Sequence, residues 1–288
     1  MVGLGGSCQK SNRKSNRKHR RADRAEKDDP MDAAVIENVE LKNNGNADWE
    51  SDRGEREIDR LKIDRLTRLY GDMTEGDDLL DAMINREFKD RIALVSSFGA
   101  ESVILLDMVA RVNPATPIIF LDTRKLFGET LRYRDQLTEI LGLTNVITVK
   151  PDEKEVEAED KNGLLWTRNT DACCNLRKVR PLARAMNGYE AWITGRKRFQ
   201  AATRANIPLI EQDGRKFKIN PLAFWTAEQV DARIKELGLP EHPLVSQGFP
   251  SIGCMPCTSR VEPGQDRRAG RWAGQDKTEC GIHIGANI

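Results

Sequence analysis

The sequence predicts an α/β protein: a parallel twisted sheet with helices on both faces, followed by an irregular C-terminal tail. From about residue 55, short apolar runs alternate with stretches of helical periodicity. The short runs are apolar at consecutive positions, which is typical of parallel strands buried on both faces. The last forty residues contain Pro, Gly and charge but little periodicity.

Two helices open the periodic part of the chain. Apolar residues recur at helical spacing from residue 58 to 69 and again from 79 to 88, and Asp77 is a candidate N-cap for the second helix. The apolar positions are Ile58, Leu61, Leu66 and Leu69 in the first helix, and Leu79, Leu80, Met83, Ile84 and Phe88 in the second.

Strands and helices then alternate. We predict strands at 92–95, 117–121, 145–149 and 191–194, with helices at 101–111 and 131–141. Asp213-Gly214 between two short apolar runs predicts a hairpin. Thr226 with Gln229 three residues later predicts a capping box, for a helix that ends before Gly238.

The segments that flank this core have a different composition. Residues 10–24 carry eight Lys/Arg and one acid, Asp23, and an acid-rich stretch follows. Such charge blocks usually belong to solvated, disordered chain. We therefore expect a disordered extension over 1–54, an α/β domain over 55–260 and a mobile tail over 261–288. The basic block also leaves open an RNA-binding arm, a transit peptide, or translation from Met31.

Charge and hydropathy limit the classes of function. Lys and Arg total 46 against 45 Asp and Glu, so the net charge gives no case for nucleic-acid binding by the whole chain. No stretch approaches eighteen apolar residues, and no apolar leader is present near the N-terminus. We expect a soluble, cytoplasmic protein with reduced thiols and no membrane partner; the oligomeric state stays open, with a homo-oligomer among the alternatives.

Six cysteines form an uneven pattern. Cys173 and Cys174 are adjacent, Cys254 and Cys257 form a C-x-x-C pair, Cys280 stands alone, and Cys8 lies in the basic leader. Two such pairs can supply four thiolates to zinc or to an iron–sulfur cluster, and the spacing does not decide between them. Disulfides would require an oxidising compartment, for which the sequence shows no route.

The turn after the first predicted strand is a candidate phosphate loop. It lies where the loops and helix N-termini of parallel sheets offer backbone amides to anions. Its small and hydroxyl-bearing residues permit close approach to an anion, and the Walker spacing is absent. The residues of this turn are Ser96, Ser97, Phe98, Gly99, Ala100, Glu101 and Ser102.

Taken together, the motifs from residue 90 to 284 resemble those of the assimilatory adenylyl-sulfate (APS) reductases, within the APS and phosphoadenylyl-sulfate (PAPS) reductase family. The cysteine pattern and the terminal Glu-Cys-Gly-x-His are the most specific parts. The motifs are Ser96-Ser-Phe-Gly-Ala-Glu101, Phe120-Leu-Asp-Thr123, Cys173-Cys-Asn-Leu-Arg-Lys178, Trp192-Ile-Thr-Gly195, Cys254-x-x-Cys257 and Glu279-Cys-Gly-Ile-His283.

The resemblance implies an adenine nucleotide alpha-hydrolase-like fold, a [4Fe-4S] cluster and a catalytic cysteine. It implies that Cys173, Cys174, Cys254 and Cys257 hold the cluster and that Cys280 is the nucleophile. Ser96 to Ser102 would be a modified pyrophosphate loop, with Leu121, Asp122 and Thr123 near the adenosine. The further substrate-binding candidates are Lys178, Arg198, Arg204, Arg268, Arg271 and His283.

The activity implied is reduction of APS to sulfite and AMP through a Cys280 S-sulfonate, in sulfate assimilation and cysteine biosynthesis. Cationic neighbours would lower the pKa of the thiol and offset the repulsion between thiolate and phosphosulfate. The cluster is expected to act electrostatically and structurally without carrying electrons. No thioredoxin-like C-x-x-C unit is present, so thioredoxin or a glutaredoxin is the expected reductant.

Two segments depart from the family pattern. The usual Leu-Asp-Thr-Gly-Arg-Leu-His-Pro-Glu-Thr is replaced by Leu121-Asp-Thr-Arg-Lys-Leu-Phe-Gly-Glu-Thr130, and the usual Arg-Arg-Asp-Gln-Ser by Lys197-Arg-Phe-Gln-Ala201. Both changes concern the nucleotide side of the predicted site and leave the proposed redox chemistry untouched. The alternatives to an APS reductase are a PAPS reductase or dual-specificity enzyme, a cluster-bearing tRNA sulfur-transfer enzyme, and a zinc-stabilised RNA-binding protein.

Overall fold

The computed structural model describes residues 48–73 and 76–283. The chain divides into two units, Met1–Arg60 and Leu61–Ile288. The described part of the first unit is helical, and the following paragraphs concern the second unit. The predicted extension over 1–54, with Cys8 and Met31, lies largely outside the described residues.

A six-stranded sheet forms the centre of the second unit, in the order β3-β2-β1-β4-β6-β5. Neighbouring strands are parallel except β5 and β6, which are antiparallel. The strands are β1 Ile92–Val95, β2 Ile118–Leu121, β3 Val146–Val149, β4 Ala191–Ile193, β5 Ile210–Asp213 and β6 Lys216–Ile219. The four predicted strands and the hairpin are confirmed. The sequence did not predict that the hairpin extends the main sheet, through parallel pairing of β6 with β4.

Helices connect and cover these strands. They are α1 Asp48–Tyr70, α2 Gly76–Ala82, α3 Ser102–Val112, α4 Gly128–Ile140, α5 Glu153–Glu159, α6 Leu165–Arg168, α7 Thr170–Cys174, α8 Arg180–Ala185 and α9 Ala227–Leu237. Two π-helical turns, Met83–Glu87 and Asn175–Val179, continue α2 and α7. Within 48–73 and 76–283, no helix has the length and apolar character needed to cross a bilayer.

The helix boundaries test two of the capping predictions. The Thr226 hydroxyl accepts a hydrogen bond from the backbone N–H of Gln229 at 3.2 Å, and Gln229 Oε1 accepts one from the Thr226 N–H at 2.8 Å. The capping box is thus confirmed, and α9 ends at Gly238 with φ 60°. The prediction of Asp77 as an N-cap is wrong, because Asp77 lies inside the first turn of α2.

Both faces of the sheet are buried, as the continuous apolar strands predict. Ile92 and Leu94 of β1 belong to the larger core, together with residues of α2, α3 and α4. Ala93 points to the other face, where it joins a smaller core with Leu182 of α8 and Trp192 of β4. Successive strand residues face opposite sides, so a run with no polar position is needed to fill both cores.

The strand order places the loops that matter for function. The chain moves outward from β1 to β2 and β3, then returns to place β4 on the other side of β1. Such a reversal leaves a crevice beyond the carboxyl ends of the central strands, where ligands bind in open α/β sheets. The loops after β1, β2 and β4 all begin at this edge.

Candidate active site

The loop after β1 lines the crevice and is held by hydrogen bonds to its own serines. Ser96 Oγ accepts a hydrogen bond from the Phe98 N–H at 3.2 Å, and Ser102 Oγ accepts one from the Gly99 N–H at 2.9 Å. Phe98 has φ 49°, which is uncommon for a residue with a side chain. Its buried ring packs edge-on against Phe120, with centroids 5.5 Å apart. The ring anchors the loop, while each serine keeps a hydroxyl hydrogen to donate.

A cavity of about 470 Å³ opens in front of this loop. Its size is within the range of small-molecule sites, roughly 300–1,000 Å³. The structure brings together fifteen of the predicted site residues in its lining. They are Ser96, Ser97, Gly99, Ala100, Glu101, Ser102, Leu121, Thr123, Lys178, Arg204, Cys254, Arg268, Arg271, Cys280 and His283.

Three predicted substrate-binding residues do not line this cavity. Phe98 belongs to the core. The Asp122 carboxylate turns back to its own loop and accepts a hydrogen bond from the Arg124 N–H at 2.9 Å. Arg198 donates from Nε to the backbone carbonyl of Ile207 at 2.9 Å, which directs its guanidinium away from the cavity.

The cavity is strongly positive. Seven Lys and Arg side chains line it against two acids, Glu101 and Asp266. Burial, together with repulsion from Arg204 and Arg271, lowers the pKa of Arg268 to about 10. The cations crowd one another, so an anionic ligand would relieve their repulsion. The cations are Lys178, Arg196, Lys197, Arg204, Arg267, Arg268 and Arg271.

Arg196, Lys197 and Arg267 of this set were not predicted. Arg196 and Lys197 follow β4, and only the strand order shows that β4 lies beside β1. Lys197 Nζ is 2.8 Å from Glu101 Oε2, so it ties the β4 loop to the phosphate loop. The sequence could have indicated both residues, because they come just after a buried strand and neighbouring parallel strands end at the same edge of a sheet.

The tail carries Cys280 into the same cavity. Its first half is held by a short antiparallel bridge between Thr258 and Arg271 and by the Trp272 N–H, which donates to the Cys257 carbonyl at 3.0 Å. Its second half ends in a 3₁₀ turn, Gly281–His283. The tail is irregular as predicted.

The surroundings of Cys280 favour its thiolate. A hydrogen bond with the Cys174 thiol, the charges of Lys178 and Arg271 and a backbone hydrogen bond from Ile282 lower the pKa of Cys280 well below its usual value, although burial opposes them. A thiol of this kind, placed among cations, is chemically a nucleophile.

His283 lies against a buried aromatic ring. Its imidazole stacks on the Trp192 indole with centroids 5.7 Å apart. Burial and repulsion from nearby cations, Arg196 first among them, hold the pKa of His283 well below its ordinary value. The ring is therefore neutral at physiological pH, and its buried Nδ1 has no hydrogen-bond partner within the described part of the chain.

The four paired cysteines surround a second, smaller cavity next to the first. Cys173 and Cys174 end α7, while Cys254 and Cys257 flank the 3₁₀ turn Met255–Cys257, and all four line this cavity. Thr123 Oγ1 lies 3.2 Å from Cys254 Sγ in a hydrogen bond. Two pairs separated by eighty residues of sequence therefore line the same small cavity.

The chemistry of this donor set fits a four-thiolate cluster. Four sulfurs from two pairs are the usual protein ligands of a [4Fe-4S] cluster, and Lys178 lines the small cavity as a balancing charge. Among the described residues no group of three or more His, Cys, Asp or Glu side chains could hold a metal ion. The four thiolates would together hold a cluster of several irons, which is a different requirement from binding a single ion.

Lys178 lies on the wall between the two cavities and lines both. It belongs to the π-helical turn Asn175–Val179 directly after the cysteine pair. Burial alone would lower the pKa of Lys178, but the sulfurs of Cys254, Cys280 and Cys174 raise it. Lys178 therefore lies between the paired cysteines and the cavity in front of the phosphate loop.

The family model for the phosphoadenosine phosphosulfate reductase domain matches residues 91–260. An adenosine 5'-phosphosulfate reductase of Mesorhizobium japonicum is 50% identical over 219 residues, covering 76% of this chain and 86% of the relative. A phosphoadenosine 5'-phosphosulfate reductase of Gloeobacter violaceus is 43% identical over 231 residues, covering 78% of this chain and 95% of the relative.

A solved structure supports the same assignment. The phosphoadenylyl-sulfate reductase of Candida auris, in a phosphate complex, is 28% identical and aligns with a TM-score of 0.57 over 69% of this chain and 96% of its own. The matched segment of the family model contains the phosphate loop, Lys178 and the four paired cysteines. The chain therefore belongs to the phosphoadenosine phosphosulfate reductase domain family.

Proposed function

We propose that this protein reduces adenylyl sulfate to sulfite and AMP, with Cys280 as the nucleophile, in sulfate assimilation and cysteine biosynthesis. One observation carries the proposal: Cys280 lines the same positive cavity as the phosphate loop. A nucleotide whose phosphate lies against the loop would therefore present its sulfate to the thiolate. Relatives at 50% and 48% identity are named adenosine 5'-phosphosulfate reductases.

The chemistry consists of three displacements. The Cys280 thiolate attacks the sulfur of adenylyl sulfate, an S–S bond forms, and the S–O bond to the phosphate breaks, so that AMP leaves with the electron pair. A dithiol then attacks Cys280 Sγ, which releases sulfite and leaves a mixed disulfide. The second thiol of the pair closes its own disulfide and restores the Cys280 thiolate, so the dithiol supplies both electrons.

The cavity cations would lower the barrier to the first displacement. A thiolate and a phosphosulfate repel each other, and charge moves onto the AMP phosphate as the S–O bond breaks. Lys178 and Arg271 are the cations that lower the pKa of Cys280. Arg271 Nε is buried and has no hydrogen-bond partner among the described residues, so it is available to an anion. Fixed cations of this kind stabilise developing charge without reorganising.

We propose that Cys173, Cys174, Cys254 and Cys257 hold a [4Fe-4S] cluster. When bound, the cluster would supply a charged, rigid body beside Lys178 without passing electrons to substrate. Lys178 supports this assignment because it faces both the cysteines and the substrate cavity. Iron and sulfide analysis of anaerobically prepared protein tests it. Replacing Cys257 with Ser should remove iron, whereas replacing Cys280 with Ser should leave the iron content unchanged.

The reductant is an external dithiol, which we propose to be thioredoxin or a glutaredoxin. Among the described residues, the thiol that hydrogen-bonds to Cys280 is that of Cys174, and Cys174 would be occupied as a cluster ligand. Release of sulfite therefore needs a thiol pair from another protein. A cytoplasmic, reducing setting would suit both partners.

The test is anaerobic incubation with APS or with its 3'-phosphorylated form, with and without thioredoxin. With APS alone, intact-mass spectrometry should show one SO₃ adduct on the wild-type chain, and thioredoxin should convert it to sulfite. The Cys280→Ser variant should form no adduct, while Cys8→Ser, a matched change in the leader, should behave as wild type. Sulfite release by Cys280→Ser at the wild-type rate would exclude this mechanism. A faster reaction with the 3'-phosphorylated nucleotide would make the protein a PAPS reductase.

A further inference from the structure

The residue immediately before Cys280 is a buried carboxylate. Glu279 is 4% exposed, although it lies in a tail where Gly270 and Trp272 are the only other buried residues among 261–283. Arg204 donates to it twice, from Nε to Oε1 at 2.5 Å and from Nη2 to Oε2 at 2.6 Å. The Thr203 hydroxyl adds a third hydrogen bond to Oε1 at 3.1 Å. Both charged side chains are less than a tenth exposed.

We propose that the Glu279–Arg204 pair is a latch that positions Cys280 in the cavity, so that Glu279 is a positioning residue for the reaction. The inference rests on the proposed function of Cys280 as nucleophile. It also reassigns Arg204, which the sequence suggested as a substrate contact. Its Nε and Nη2 are committed to Glu279 and its Nη1 to Gln200.

The latch is stronger than the other polar attachments near the end of the tail. Lys277 pairs with Asp171, whose side chain is 83% exposed, so solvent screens that contact. Arg268 donates to the Thr278 carbonyl at 3.1 Å, but both residues belong to the tail itself. A bidentate pair between guanidinium and carboxylate fixes direction as well as distance. Because Cys280 is the next residue, the direction of Glu279 determines where the thiol lies.

The latch is also connected to the phosphate loop. Arg204 Nη1 donates to Gln200 Oε1 at 2.5 Å, and Gln200 Nε2 donates to Glu101 Oε2 at 2.8 Å. Glu101 lies at the start of α3 beside the loop and also holds Lys197. The base of the latch is thereby fixed to the same residues that bind the nucleotide phosphate in the proposed function. The tail and the phosphate loop are consequently held by one hydrogen-bonded network.

Burial by itself raises the pKa of the Glu279 carboxyl, but the hydrogen bonds and charge of Arg204 lower it below its usual value. The carboxylate is thus ionised and fully paired in the closed tail. Substituting Gln at this position keeps the shape and removes the charge, which leaves Arg204 buried without its counter-ion. Breaking a buried pair in this way is strongly unfavourable, so the tail should detach.

The experiment compares Glu279→Gln with the wild type in three measurements. The first is the rate at which a bulky maleimide labels Cys280 at pH 8.5, where an ordinary thiol is half ionised. Labelling should be at least about tenfold faster in the variant, because each tenfold rise in the population of the detached tail requires only about 1.4 kcal/mol. The rate of S-sulfonate formation should fall at least about tenfold. The affinity for AMP, measured by calorimetry, should change by less than about threefold, because the phosphate loop is unaltered.

Control variants separate a latch from general loss of structure. Glu87→Gln breaks a comparable pair with Arg65 outside the cavity lining and should change none of the three measurements. Labelling of Cys173, Cys174, Cys254 and Cys257 should stay at the wild-type level in Glu279→Gln. Glu279→Asp, which keeps the charge, should restore part of the slow labelling. Arg204→Met should give the same labelling rate of Cys280 as Glu279→Gln. The double variant should label no faster than either single variant.

Equal labelling of Cys280 in wild type and Glu279→Gln would overturn the latch, as would faster labelling of all five cysteines. If the effects of Glu279→Gln and Arg204→Met on labelling simply added in the double variant, the latch would also be overturned. Labelling does not depend on catalysis. If the wild type forms no S-sulfonate, the proposed function fails, yet the labelling comparison still decides whether Glu279 holds the tail.

Discussion

His242 is a buried histidine that the site does not use, and its burial holds it neutral. It is 1% exposed, its Nδ1 accepts a hydrogen bond from the Leu244 N–H at 3.2 Å, and its Nε2 lies 3.0 Å from Thr130 Oγ1. Burial lowers the pKa of His242 from 6.5 to about 4, against a small opposing effect of Glu129. The ring therefore links the first turn of α4 to the chain after α9 without carrying charge.

The depressed pKa predicts a pH dependence of stability. Between pH 6.5 and 4 the unfolded chain binds a proton at His242 and the folded protein does not, so stability falls as pH falls through this window. Each tenfold change in proton affinity is about 1.4 kcal/mol, so the whole loss is on the order of 3 kcal/mol. The free energy of unfolding, measured by urea titration at pH 7, 6, 5 and 4, should show it.

The matched variant is His242→Gln, whose amide can still donate to Thr130 but does not titrate. Acidic groups with lowered pKa, such as Glu101 and Asp160, weaken both proteins in acid alike. The stability advantage of the wild type over His242→Gln should therefore shrink as pH falls from 6.5 to 4, and stay constant above pH 7. Parallel curves across the whole range would show that His242 is protonated in the folded protein.

At the scale of elements, the strands were predictable and their contacts were not. The four strands and the hairpin follow from local apolar runs, and the α9 capping box follows from residues three apart. The π-helical turn Asn175–Val179 left no such signal, since an inserted residue in a helix changes the direction of side chains without changing composition. The pairing of β6 with β4 depends on packing between residues that are far apart in the sequence.

The residues of the site likewise divide into those that the sequence made evident and those that it did not. The cysteine pairs and the phosphate loop were evident because their residue types are rare or closely spaced. Of the seven cavity cations, Lys178, Arg204, Arg268 and Arg271 were predicted and three were missed, because nearly a third of the chain is charged and a single Lys or Arg is a weak signal. Arg198 was chosen and Arg196 missed, although they are two residues apart; only the structure shows Arg196 lining the cavity and Arg198 bonded to the Ile207 carbonyl.

The tail and the cysteine loop approach each other at a glycine. The Ser259 N–H donates to the Gly270 carbonyl at 2.8 Å, and a Cβ added to Gly270 would lie 2.1 Å from the Ser259 carbonyl oxygen. Gly270→Ala should therefore force the two segments apart and cost about 1–3 kcal/mol. A fall in the midpoint of thermal unfolding of roughly 2–4 °C per kcal/mol is expected, with faster labelling of Cys280.

Gly128→Ala is the matched control, because an added Cβ there meets only the end of the Arg132 side chain, at 3.3 Å. Gly128 opens α4, where alanine is the better helix former, so this variant should unfold at or above the wild-type temperature. Unchanged stability and labelling in Gly270→Ala would mean that the two segments do not lie this close in solution.

On the scale of the whole molecule, charge is balanced overall and concentrated locally. The chain carries 46 Lys/Arg against 45 acids, yet seven cations line one cavity beside two acids. Those cations are contributed by the loop after β4, the turn after α7 and the tail. Repulsion among them disfavours the closed arrangement, and an anion that bridges them should stabilise it.

This arrangement predicts that AMP raises the thermal stability of the protein. A ligand that binds only the folded state at about a hundred times its dissociation constant adds about 2.7 kcal/mol, which corresponds to a rise of roughly 5–10 °C for a domain of this size. Adenosine at the same concentration should give a much smaller rise, because it lacks the phosphate that meets the loop and the cations. Scanning fluorimetry at low and high salt measures both. The AMP effect should weaken with salt, since it depends on charge; an equal rise with adenosine would show that the cations do not bind the phosphate.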